Sequence, residues 1–378
     1  MCVLGRLFGS ATWIAGLLMA VSPAWGQSTG AAPSARPDSL DAMRLTVEQA
    51  SRHSVNWEGP VTGPAGQANK TVAIIAEDLR NGGIVGVSKG LQEAAEALAW
   101  HLKVFDAGGS PDGRLKALAA ALASNPDGVA LIGMDAKEIG AQLGAFAQRG
   151  IPMVGWHVGP VAGPMAGSPI AMNVSTNPLD VARIAAMAAV VQSHAKANAV
   201  IFTDGNFEIA KAKAQAMADI IRACNTCKLL EIRDVAISKS AQTIPKVTRE
   251  LLQKYGDRWN SALAINDIYF DYAAPQLTSE GRASSGLHML SAGDGSMAAF
   301  LRIEADVFQT GTVAEPLNLH GWQLLDELNR LFAHQAVTGY ILPVHLVTSE
   351  NIKFDGGNKQ KYDPDNNYRM IYKKIWAR

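Results

Sequence analysis

The sequence predicts an α/β protein built as two doubly wound lobes with parallel sheets. Three observations carry that expectation. Between Thr71 and Ala314, short apolar runs of strand length alternate with segments of helical apolar spacing. Several runs, Thr71–Ala76 first, are apolar without a break, as strands covered on both faces are. The strands also number roughly a dozen, many for one open sheet, so two sheets side by side account for them.

The elements follow in order. Thr71–Ala76 ends at the acidic pair Glu77 and Asp78. Ile84, Val87, Leu91, Ala94, Ala95 and Leu98 then recur at helical spacing. A strand over Leu102–Phe105 leads to a helix over Arg114–Ala123 with Leu115, Leu118 and Leu122 on one face. Strand Gly128–Ile132, helix Ala136–Gln148 and strand Pro152–Gly155 continue the pattern. It begins again with strand Ile170–Val174, helix Leu179–His194, strand Ala199–Thr203 and helix Phe207–Ala223. Strand Leu229–Arg233, helix Thr243–Tyr255, strand Ser261–Ile265 and helix Ile268–Leu277 come next. Strand Leu287–Leu290, helix Ser296–Ile303 and strand Asp306–Ala314 complete the set. Such alternation implies right-handed crossovers between parallel strands.

Composition narrows the function. Lys+Arg and Asp+Glu both number 34, so the formal charge is zero. A nucleic-acid or polybasic membrane-surface protein needs a cationic excess, so neither partner is expected. Hydrophobic residues make up 48% and charged residues 18%, enough apolar material for a large core and too much for global disorder. The chain opens with Arg6, an apolar run from Ala11 to Val21 and the small-residue end Ala24-Trp25-Gly26. About 11 apolar residues cannot span a bilayer. The pattern fits a secretory signal peptide over 1–26, cleaved near Gly26; the competing reading is an N-terminal core helix or anchor. Export to the periplasm is the expectation. Residues 27–69, rich in Ser, Gly, Pro and Ala, read as a flexible leader with a docked turn around Trp57-Glu58-Gly59-Pro60. The polar residues 353–378 read as a C-terminal surface extension.

Cys224 and Cys227 remain after export. In an oxidising compartment a close pair usually closes a disulfide, the expectation here, with two free thiols as an alternative. A redox-active pair would instead open a helix after a strand, whereas here a helix runs into Cys224 and a strand follows. Three cysteines in 378 residues exclude a disulfide-stapled small scaffold.

No phosphate loop, nucleophile elbow or complete dinucleotide fingerprint occurs. The eight histidines form no close pair of metal-binding spacing, so neither a metal nor another cofactor is expected. What remains is polar residues at the carboxyl ends of strands, where open α/β sheets bind ligands. These are Asp78, Arg80 and Asn81; Trp156 and His157; Asp204, Asn206 and Phe207 with Lys211 and Lys213 beyond; Asn266 and Asp267; Asp294; and Glu315. Each has a plainer reading. Asp267 and Asp294 precede helices and could be N-caps, Trp156 and Tyr269 could be core, and Lys213 could face solvent.

Ile151-Pro152-Met153-Val154-Gly155, Ala264-Ile265-Asn266-Asp267, Gly293-Asp294-Gly295 and Thr312-Val313-Ala314-Glu315-Pro316, in this order and spacing, resemble the landmarks of ribose-binding-protein-like receptors. These are type I periplasmic solute-binding proteins of sugar ABC transporters, and the resemblance spans about Lys70 to Ile352. It implies two Rossmann-like lobes joined by three hinge crossings near Asn173–Asn177, Glu315–Pro316 and Leu342–Pro343. One lobe is then 70–174 plus 316–342, the other 175–315 plus 343–352. Carried over, Asn266 matches a cleft asparagine and Asp294 a sugar-hydroxyl acceptor. Asn81 matches the polar residue after the first strand, Lys213 (or Lys211) stands for a ligand-gripping arginine, and Glu315 for a hinge glutamine. The departures are Gly83 and Ile84 in place of a ring-sandwiching aromatic pair, and His157 and Val158 in place of an Asp-Arg pair. Trp156 and Phe207 are candidates for the missing stacking face, and ribose itself is not the expected ligand.

The expectation is therefore a monomeric receptor for a small polyhydroxylated ligand, delivered to an ABC transporter permease in the inner membrane. The alternative is a ligand receptor serving chemotaxis or a sensor kinase. An enzyme built on His157 with Asp294 or Glu315 lacks a nucleophile–base–orienter set, and no catalysis is expected.

Overall fold

The computed structural model describes residues 39–377. The expected signal peptide, and residues 27–38 of the expected leader, lie outside them.

The first described element is helix α1 (Leu40–Ala50). Lobe 1 then begins with β1 (Thr71–Ala76), α2 (Gly82–Leu98), β2 (His101–Asp106), α3 (Pro111–Ala123) and β3 (Gly128–Ile132). It continues through α4 (Gly140–Gln148), β4 (Met153–Trp156), β5 (Gly163–Pro164) and β6 (Ile170–Val174). Its sheet runs in the order β2-β1-β3-β4-β6-β5, parallel except for the two-residue β5. β1 and β3 are buried almost throughout because helices cover both faces, whereas the edge strand β2 is largely exposed.

Lobe 2 holds α5 (Pro178–Gln192), β7 (Asn198–Thr203), α6 (Glu208–Ala223), β8 (Lys228–Asp234), α7 (Ser240–Tyr255) and β9 (Ser261–Ala264). Then come α8 (Ile268–Ser279), β10 (His288–Ser291), α9 (Met297–Glu304) and β11 (Gln309–Ala314). The next helix, α10 (Leu317–Phe332), returns to lobe 1, and β12 (His345–Thr348) goes back to lobe 2. The second sheet has the order β12-β11-β10-β9-β7-β8. Only β12 is antiparallel, pairing with β11. The chain thus passes between the sheets three times: after β6, after β11 and before β12. No helix among the described residues is long and apolar enough to cross a membrane.

α10, β5, β12 and the last helix, α11 (Tyr368–Trp376), stand outside the periodic pattern that the sequence offers. α10 is buried on every side over Leu317–Arg330, so no polar stripe marks its outer face. It crosses α2 at Gly90 and Gly321. A Cβ on Gly321 would fall 2.4 Å from the Gly90 carbonyl carbon, so both glycines are needed for the two backbones to touch.

Both terminal segments differ from the expectation. Over 39–69 the leader packs against both lobes. α1 is N-capped by Ser39, whose hydroxyl accepts from Ala42 N at 3.1 Å, and Met43 is buried in the lobe 2 core. The Ser51 carbonyl accepts from Asn351 Nδ2, and His53 Nδ1 meets Asp355 at 2.7 Å. The chain then reaches lobe 1, where Trp57 packs against Tyr340 and Tyr372, and its indole N–H donates to the Pro60 carbonyl at 3.0 Å. The leader therefore ties lobe 2 to lobe 1 alongside the hinge crossings.

The C-terminal segment is likewise not a surface extension throughout. It ends in α11 (Tyr368–Trp376), with Tyr368, Tyr372, Ile375 and Trp376 buried. These residues lie at helical spacing on one face, while Arg369, Lys373 and Lys374 take the other. Cys224 and Cys227 form a disulfide where α6 ends and the turn into β8 begins, with Cα atoms 5.3 Å apart.

Candidate functional site

A cavity of about 70 Å³ lies between the lobes. It is lined from the carboxyl ends of β1, β3 and β4 on one side and of β9 and β10 on the other, with the first turns of α6. That is where an open α/β sheet presents backbone groups and loop side chains to a ligand. The volume is far below the roughly 300–1,000 Å³ of common small-molecule sites, so the lobes lie close together around it.

Seven of the eight sequence-predicted residues line this cavity: Asn81, Trp156, His157, Phe207, Lys213, Asn266 and Asp294. Glu315 stands one layer behind. The first hinge-side group is Asp294, 3% exposed. Asn266 Nδ2 donates to Asp294 Oδ2 at 2.7 Å, and the Ile268 amide donates to Asn266 Oδ1 at 3.0 Å. Both ends of the Asn266 amide are thus engaged, and it acts to orient Asp294. Asp267 is a structural acceptor: its carboxylate takes the amides of Gly295 and Ser296 and the Gln309 side chain. Its position at the start of α8 does not make it a side-chain cap of that helix.

Asp294 reaches across the cleft to α2. A Cβ on Gly83 would fall 2.2 Å from Asp294 Oδ2, so glycine is what lets the carboxylate approach the first turn of that helix. Helix N-termini favour negative charge. Asn81 is the N-cap of α2, its Oδ1 accepting from the Gly83 amide at 2.9 Å. The replacement of an aromatic pair by Gly83 and Ile84, read in the sequence as a departure, is in the structure a change from stacking to close approach.

His157 follows β4 with φ of +53°, a left-handed conformation uncommon outside glycine, asparagine and aspartate. Its Nε2 meets both oxygens of Glu315, at 2.9 and 3.0 Å. Its ring stacks on Trp156 with centroids 3.7 Å apart, so one face of the Trp156 indole is already covered. The Trp156 indole N–H donates to His320 Nδ1 at 3.0 Å. Burial pushes His320 down to about 4, so the ring is neutral at pH 7 with its proton on Nε2. The 3.3 Å approach of Nδ1 to Glu315 is therefore packing, not an ion pair. The remaining aromatic candidate, Phe207, carries the Arg114 guanidinium over its ring at 5.5 Å.

Burial raises Asp294 to about 6, although His157 and Lys213 pull it down. Burial would raise Glu315 too, but its contacts with His157 and the nearby Lys213 hold it at about 2. Lys213 is 3% exposed and donates to the Ala292 carbonyl at 2.8 Å. Lys211, the alternative cation, is exposed and pairs with Glu208. His157, Asp294 and Glu315 each offer one donor atom within 4.8 Å of the others. They come from three separate segments, which is why no spacing in the sequence flags them. Lys213 lies near both carboxylates and His157 Nε2 bonds Glu315, so the cluster is a hydrogen-bond network.

Sequence reasoning missed three contributors. Glu77, buried beside the cavity, is held by Arg114 through three bonds of 2.7–3.0 Å. Asp135 Oδ2 accepts from the Glu208 amide across the cleft at 2.8 Å, capping α6, whose own N-cap position is occupied by Phe207 without a side-chain bond. His320 was hidden in the unrecognised α10. For Asp135, the signal was available: an acidic residue just past the strand Gly128–Ile132.

A family model described as "Periplasmic binding protein domain" matches residues 72–336. No curated protein sequence matches the chain. Among solved structures, the subunit of an ABC sugar transporter from Rhodobacter sphaeroides 2.4.1 superposes with a TM-score of 0.64 at 20% identity, over 75% of this chain and 99% of that one. A myo-inositol binding protein from Caulobacter, with myo-inositol bound, gives 0.66 at 20%, over 77% and 97%. An ABC transporter solute binding protein from Agrobacterium vitis, with allitol bound, gives 0.65 at 17%, over 76% and 97%.

Proposed function

From the premise that this chain belongs to the periplasmic binding protein domain family, we propose that it is an exported solute receptor for a small sugar or polyol. It holds the ligand between its lobes and hands it, as a monomer, to an ABC transporter permease. The observation that carries this reading is the pairing of polar groups from both lobes around one cavity: Asn81 and His157 from lobe 1, Lys213 and Asp294 from lobe 2. A ligand touching both sets gains the second only when the lobes close, so binding drives closure. The sugar and polyol ligands of the structural neighbours point to the same chemistry. The opening residues support export with cleavage near Gly26.

Thermal-shift screening of the mature chain against allitol, myo-inositol, tagatose and related compounds tests the reading. A true ligand at 100 times its Kd adds about 2.7 kcal/mol to stability, a rise of several degrees. Unchanged melting across the whole panel would sink it.

Closure gives a second expected result. Gly83→Ala should leave the fold intact, because alanine is the better helix former by up to about 1 kcal/mol. It should nevertheless weaken binding of the screened ligand at least about tenfold, since the new Cβ overlaps Asp294 in the closed form. Titration calorimetry alongside melting separates the two effects. A variant that binds like the parent would mean that Asp294 and α2 do not meet in the liganded state.

A further inference from the structure

We propose that the cleft selects a ligand with one hydroxylated edge and one apolar face, such as a deoxy sugar or a cyclic diol, over its fully hydroxylated counterpart. The inference rests on the sugar-or-polyol reading above and narrows it.

It follows from which polar groups are still available. Glu77 gives both carboxylate oxygens to Arg114, and Asp78 gives both of its own to Arg80. Asn266 is engaged at both ends, and the Trp156 N–H at its single donor. Among the described residues, the lining side-chain groups without a protein partner are Asn81 Nδ2, His157 Nδ1, Asp294 Oδ1, the second Asn266 Nδ2 hydrogen and the remaining hydrogens of Lys213. These lie together around Asp294: Asn81 bonds the Gly83 amide against which Asp294 rests, and His157 is within the same 4.8 Å cluster. The apolar part of the wall is Ile84, Phe207, Ile209, Ala210, Ile237 and Ile265, with Gly133 and the arginine-paired Glu77 and Asp78 beside it.

A hydroxyl placed against that wall gives up its bond to water and finds no replacement. Such an unmade bond lowers affinity roughly 5- to 150-fold. A methyl or methylene in the same place gains from leaving water. The usual aromatic platform does not offset this, because Trp156 has one face on His157, and Phe207 carries Arg114.

The test is calorimetric titration of the mature chain with matched pairs: L-rhamnose and L-mannose, L-fucose and L-galactose, cis-1,2-cyclohexanediol and myo-inositol. The less hydroxylated member of at least one pair should bind at least about fivefold tighter, and no pair should favour its partner. If the fully hydroxylated member binds as tightly or tighter in the pairs that bind, the inference is overturned while the sugar-or-polyol reading stands. If none of the six compounds binds, both fall together.

Discussion

Trp376→Ala is expected to lower the stability of the folded chain by about 3–5 kcal/mol, the usual effect of removing a large buried aromatic side chain. Trp376 stacks on Trp322 with ring centroids 5.3 Å apart and planes 5° from parallel. Its indole N–H donates to Asp326 Oδ1 at 2.8 Å. Alanine would open a cavity beneath α10 and also leave part of a buried carboxylate without its donor, which adds to the loss. Asp326 keeps Arg330 at 2.8 Å, so the charge itself remains paired. Urea unfolding followed by fluorescence and far-UV dichroism measures the change. A loss below about 1 kcal/mol would mean that the last helix is an accessory to the lobe 1 core instead of part of it. Because the Trp376 carbonyl also accepts from the Gly66 amide at 2.8 Å, unfolding of α11 should release the segment around Gly66. Hydrogen exchange there would rise in the variant.

That helix also marks where the sequence stopped being legible. The alternating core could be read because buried parallel strands leave continuous apolar runs and their helices leave stripes, and both periods survive without knowledge of the partner. α11 has nine residues after a polar stretch, and its aromatic face has meaning only against Trp322 and Trp57 of distant segments. α10 failed for the opposite reason: buried all round, it has no polar face to set a period. The leader was read from Ser, Gly and Pro content, which describes α1's flanks but not Met43 or Trp57, the side chains that dock. At the site, residue positions followed from strand ends, since topology alone puts those ends together. Their roles did not. That Asn266 is engaged by Asp294 and Ile268, or that Glu315 stands behind His157, depends on side-chain geometry that no spacing encodes.

Asp294→Ala should reduce affinity for the screened ligand by about 10- to 150-fold, the range expected for a buried bond to a charged group at roughly 1.5–3 kcal/mol. The fold should persist, because Asp294 is not the cap of a helix in its own lobe: Ser296 caps α9 through the Ala299 amide. The acid is raised to about 6 by burial, so the effect has a pH signature. A ligand hydroxyl donating to Oδ1 favours the ionised form, and binding therefore releases a proton below that value. Affinity should rise with pH by up to tenfold per unit until about 6 and then level off. The sign for the unliganded fold is the reverse. An acid whose folded pKa lies above its ordinary 3.8 stabilises the fold below that ordinary value. That contribution, on the order of 3 kcal/mol, is lost as pH rises through about 6. Opposite slopes for binding and for apo stability over the same window are hard to obtain from any group that is merely structural. Asp294→Asn separates charge from shape: it keeps an acceptor near the ligand but should flatten both profiles. If the parent's affinity is already flat from pH 5 to 8, Asp294 does not meet the ligand as an acceptor, and its approach to α2 across the cleft is its whole role.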